Sequence, residues 1–132
     1  MTPEQKIKRE ILLAAKASGD RDFQFDDEIT EENVDGLYAS LLVQYNRHWD
    51  FEQEFRESGE QTDISAPFSR NYDSYSVARK LSDESWIGWT YWHGGGKHGN
   101  PEEIPWMDEA YDLTLVKEEQ KTITVREFKL KV

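Results

Sequence analysis

Residues His93, Gly94, Gly95, Gly96, Lys97 and His98 place three glycines among groups that can carry positive charge. Backbone N–H groups exposed by glycine, with a lysine beside them, can hold an anion. The spacing is not that of a P-loop, and no Ser or Thr follows Lys97 to hold magnesium. One expectation is therefore a small anionic or nucleotide-like ligand at loop 93–99, flanked by Trp92 and Trp106 as a partly exposed aromatic wall. The plainer reading is a tight turn that glycine alone permits. His93, His98, Glu102 and Glu103 carry metal-ligand atoms, but no pair has the HExxH spacing. A histidine–carboxylate hydrogen bond is the commoner use of such residues. No metal or cofactor is expected. Cysteine is absent and no serine sits in a GxSxG elbow, so nucleophilic catalysis has little support. Carboxylates near His93 or His98 offer general acid–base pairs, as any acidic chain does. An enzyme is the less favoured class.

Charge supplies the second candidate. The formal net charge of the 132 residues is −11. Between Asp20 and Asp63 there are 14 acids and three bases, which accounts for the whole excess. Such a field repels nucleic acid and favours basic partners. The expected partner is a basic protein surface, docked on Asp26, Asp27, Glu28, Glu31, Glu32, Glu52 and Glu54. In that role the acidic face can stand in for a phosphate backbone. The plainer reading is a solvated face that keeps a small protein soluble. Direct nucleic-acid binding and membrane insertion are not expected; a homodimer stays open. No apolar run approaches the roughly 20 residues of a membrane span, and the first residues lack a signal-peptide core. The expected location is the cytoplasm of a host cell.

The elements that must position these groups follow from spacing. Thr2, Pro3 and Gln5 form a capped helix start. Ile7, Ile11, Leu12, Leu13, Ala14 and Ala15 continue it, and Gly19 ends it. Thr30 caps a second helix, with Glu31 and Glu32 in its first turn and Val34, Leu37, Tyr38, Leu41, Leu42 and Tyr45 on its apolar face. Trp49, Phe51 and Phe55 alternate with charged residues, which predicts a half-buried strand sharing Glu52 and Glu54 on its outer face. Residues 57–69 read as a loop. Tyr72–Leu81 is ambiguous: its alternation favours a strand, and a helix stays open. Trp86–Trp92 is the return strand of a hairpin, apolar on both faces and so central in the sheet. A short helix is expected from Pro105 to Ala110. A second hairpin follows, with Leu113 and Leu115 on one strand, a turn at Glu118–Lys121, and Ile123, Val125 and Phe128 on the other. Trp49, Trp86 and Trp89 are assigned to the core. The expectation is a single α+β domain, with two N-terminal helices packed on an antiparallel sheet of about five strands.

The run from Trp86 to Gly99, with Pro101, Glu102, Trp106 and Met107, resembles a group of small bacteriophage and prophage proteins that carry a WxGWTYWxGGGKHG motif. The likeness extends upstream through His48-Trp49-Asp50 and Tyr75-Ser76-Val77-Ala78. It implies a phage setting and no catalytic residues. In that setting a small acidic accessory protein binds, and can inhibit, a host or phage protein.

Overall fold

The computed structural model describes residues 1–120 and 122–131. Helix α1 spans Pro3–Ala17. Its start is a reciprocal cap: the Gln5 amide donates to Thr2 Oγ1 at 3.2 Å, and the Thr2 amide donates to Gln5 Oε1 at 2.9 Å. Ile7, Ile11, Leu12 and Ala15 are buried, whereas Leu13 and Ala14 face outward. The buried stripe is thus narrower than the apolar run. Gly19 follows with φ +79°.

Thr30 does cap, but one turn earlier than the helix. Its amide donates to Asn33 Oδ1 at 2.7 Å, and the Asn33 amide donates to Thr30 Oγ1 at 3.3 Å. Helix α2 is then Val34–Leu41, burying Val34 and Tyr38. The chain leaves through a 3₁₀ turn, Val43–Tyr45, and Asn46 at φ 54°.

The expected strand at Trp49–Phe55 is instead helix α3, His48–Arg56. Two periods fit this stretch. Phe51 and Phe55 are four residues apart and therefore share a helix face as well as a strand face. Glu, Gln and Arg are good helix formers, and Asp50 at the start and Arg56 at the end suit the helix dipole. Phe51 packs edge-on against Phe23 at 5.4 Å, and Phe55 meets Trp89 at 5.1 Å. Trp49, assigned to the core, is 41 % exposed.

The sheet is an antiparallel meander, β1 (Glu60–Gln61), β2 (Asp73–Lys80), β3 (Trp86–His93) and β4 (Tyr111–Leu113), in that spatial order. Strands β2 and β3 pair along their full length, from Asp73 opposite His93 to Lys80 opposite Trp86. β3 is central, as its two apolar faces require, with Ile87 and Trp89 fully buried. Between β2 and β3, buried Glu10 of α1 accepts from the Ser82 amide at 2.6 Å and from its hydroxyl at 2.7 Å. That contact ties the hairpin turn to the first helix. Lys6 Nζ lies 2.6 Å from Asp112 Oδ1, which ties α1 to β4.

The described residues thus form three helices and four strands. The two-residue β1 lies inside the expected loop. The expected helix at 105–110 is absent: Pro101–Glu103 makes a 3₁₀ turn, and Ile104 is extended at ψ 128°. Proline disfavours helical backbone in the residue before it, so Pro105 imposes that break. Trp106 then turns inward, stacking on Phe55 at 6.2 Å and meeting Trp89 at 5.8 Å. Of the expected second hairpin only β4 forms. No described residue of 114–131 is in a strand, and Lys121 of its turn lies outside the described residues.

Candidate functional site

The glycine loop is built by close approach. Gly94, Gly95 and Gly96 have φ of +79°, +88° and +69°, the left-handed region in which other residues are strained. A Cβ on Gly95 would lie 2.5 Å from the Tyr72 ring, and one on Gly99 would lie 2.8 Å from the Gly95 backbone. The Asn100 amide donates to Tyr72 Oη at 3.3 Å. The loop therefore folds over Tyr72, and the conformation accounts for each glycine. The carboxylate of Asp73 stands 3.2 Å from the place of a Gly94 Cβ, a neighbour that opposes an anion. Lys97 and His98 are exposed, while His93 is half-buried against Tyr75 and Tyr91, 5.2 and 6.0 Å between ring centroids. The expected aromatic wall is not there. Trp92 is 8 % exposed and Trp106 is 5 % exposed, because both belong to the packed interior.

The acidic stretch is divided among separate places. Asp26, Asp27 and Glu28 border a hollow beside Arg9, Lys16 and Phe25. Glu31 lies 3.7 Å from the Met1 amino group; Glu32 is exposed with no ion-pair partner among the described residues. Asp20 and Asp22 pair with Arg47 at 3.1 and 2.6 Å. Because α3 is a helix, Glu52 and Glu54 point to different sides: Glu52 lines a cleft with Tyr38, and Glu54 lines a hollow with Glu10, Phe51 and Arg79.

That cleft, of about 480 Å³, is the site that reading the sequence missed. It lies between α1, α2, α3 and segment 102–108. Carboxylates line it from every element: Glu4, Asp35, Glu52, Glu102, Glu103 and Asp108. The cationic side chain in its lining is Lys8, already held 3.1 Å from Asp35 and 3.5 Å from Glu4. The lysine's hydrogen bond lowers the pKa of Asp35, with help from Gln5. Tyr38 donates its hydroxyl hydrogen to Glu52; burial and then this carboxylate push the phenol well above its ordinary value. Exposed Trp49 and half-buried Met107 add apolar surface to the walls, and His48 Nδ1 is buried without a partner among the described residues. Only the folded helices bring these groups together, because they come from positions 4 to 108.

Such a cleft suits a cationic side chain. A guanidinium can lie on the face of an exposed tryptophan and share its N–H groups among carboxylates. Among the described residues no group of three or more His, Asp or Glu is placed to hold a metal ion. No described helix is long and apolar enough to cross a membrane. In comparisons with known proteins, no family model, no curated protein and no solved structure matches the chain.

Proposed function

We propose that this protein is a small acidic accessory protein, of the phage setting its tryptophan–glycine motif resembles, that acts by binding a basic segment of another protein. The observation that carries this reading is the cleft between α1, α2 and α3, where six carboxylates face one lysine beside the exposed ring of Trp49. An arginine or lysine of the partner enters that cleft, and the remaining acidic surface raises the rate of encounter. Occupying a basic surface in this way excludes the partner's own acidic ligand, whether protein or nucleic acid.

The test is a display library of short peptides panned against the folded protein at low and high salt. Enrichment of arginine- or lysine-bearing peptides is expected, lost in Glu103→Lys/Asp108→Lys and weakened in Trp49→Ala. Enrichment of neutral or acidic peptides, or retention unchanged by the charge reversal, overturns the reading.

A further inference from the structure

Residues 114–120 and 122–131, here called the arm, are exposed to solvent. Val116, Ile123, Val125, Phe128 and Leu130 are each between 80 % and 95 % exposed. The sequence of the arm is that of a strand: Thr122-Ile123-Thr124-Val125, then Phe128 and Leu130, rich in β-branched and aromatic residues. Strict alternation would place Ile123 and Val125 on one face and Phe128 and Leu130 on the other. A β-bulge at Arg126-Glu127, formed when the arm pairs, would bring all four to a single face. A row of this kind left open to water is an invitation to pair with another chain.

The same molecule carries a complementary groove. On the sheet face away from the helices, an opening of about 320 Å³ is floored by Ala78, Trp86 and Leu113 and walled by Ile64 and Leu115. Glu60, Asp63 and Lys117 also line it, so the root of the arm, residues 114–117, forms one side of the groove. The arm is basic where the body is acidic: residues 117–131 hold five bases and three acids, and the preceding residues hold eleven bases and 24 acids.

We propose that two copies of this chain exchange arms, residues 123–130 of each lying in the groove at Trp86 and Leu113 of the other. Reciprocal exchange closes the pair with two-fold symmetry, so both arms and both grooves are filled. Charge favours this occupant: segment 123–130 carries a net charge of +1 from Arg126, Lys129 and Glu127, and the groove a net charge of −1 from Glu60, Asp63 and Lys117. This inference is independent of the acidic cleft, which opens elsewhere on the molecule.

The experiment compares the wild-type chain with Phe128→Asp/Leu130→Asp by light scattering across a concentration series. The wild type should have the mass of a dimer. The variant should be a monomer that still unfolds in a cooperative urea melt, its dissociation constant raised by at least about a hundredfold from the loss of two apolar anchors. The chain contains no cysteine, so two single-cysteine proteins, Thr114→Cys and Leu130→Cys, can be mixed with a short bis-maleimide. A cross-link between the two proteins supports exchange. A monomeric wild type at every concentration, a variant that stays dimeric, or no cross-link between the two mixed proteins overturns it.

Discussion

Arg56, buried in α3, donates to the backbone carbonyl of Trp92 near the end of β3. Its guanidinium also lies over the Tyr91 ring at 4.3 Å and reaches Glu57 at 3.0 Å. One side chain thus satisfies the end of the central strand just before the chain enters the glycine loop. Arg56→Met keeps the aliphatic stem and removes the donors. It should cost about 1–3 kcal/mol, the penalty of a buried acceptor left without a partner, read as a lower urea midpoint.

Gly59 marks the tightest contact between the α3–β1 connection and the sheet. A Cβ there would lie 2.8 Å from Val77 and 2.9 Å from Trp89. Gly59→Ala should destabilise by about 1–3 kcal/mol through overpacking. Trp89→Ala, which empties the same place, should cost about 3–5 kcal/mol. Denaturant melts of the two variants and their double mutant will show coupling, because the added methyl occupies part of the vacated space.

The glycine loop separates folding from ligand binding cleanly. Gly95→Ala should lower the melting temperature, since it adds both strain at φ +88° and a clash with Tyr72. Lys97→Ala with His98→Ala should leave the melt unchanged, because both side chains are exposed. A thermal-shift screen of nucleotides, sugar phosphates and simple anions then decides the small-ligand alternative. Stabilisation of the wild type that disappears in the double mutant would establish a site at 93–99, contrary to the protein-binding reading.

Two groups give opposite pH signatures. Tyr38 has a folded pKa raised above its ordinary 10.0 by burial and Glu52. Its contribution is complete below about pH 10 and is lost as pH rises beyond it. Ultraviolet titration should show one phenol that ionises only on unfolding, absent in Tyr38→Phe. Asp83 is pushed down from 3.8 to about 2 by hydrogen bonds from Ser85, with Arg9 adding to the effect. Its contribution is present above pH 3.8 and lost as pH falls towards 2. The loss should be small, because the group is exposed and screened, and Asp83→Asn should flatten the acid limb of the stability curve.

Trp49 should report on the cleft. Its ring is open to solvent and surrounded by carboxylates, which concentrate cations near it and repel anions. Caesium should quench the native fluorescence more strongly than iodide, and Trp49→Phe should remove most of the difference. Equal quenching by both ions would place Trp49 outside the acidic field.

Local signals were legible where one period fitted. The cap at Thr2, the pairing of residues 72–81 with 86–92, and the central place of Trp89 all follow from the sequence. The stretch 49–55 was not legible, because Phe51 and Phe55 satisfy strand and helix spacing alike. That ambiguity also placed Glu52 and Glu54 on a shared face that does not exist. Trp106 reads as a partly exposed wall of the glycine loop on a short helix from Pro105; without that helix it packs on Phe55 and Trp89 instead. The cleft escaped notice for a different reason. Its acids are scattered from Glu4 to Asp108, and nothing in linear spacing announces their convergence.

The bond between Lys6 and Asp112 joins the first helix to the last strand. A chain made from its amino end produces α1 early, yet that helix meets Asp112 only after a hundred further residues have been added. The hairpin of β2 and β3 closes over a short loop and can form during synthesis. Helix α1 must wait for β4 to emerge before its Lys6 is engaged. Its buried stripe meets α2 and α3 earlier, so the contact with β4 is the last that α1 makes.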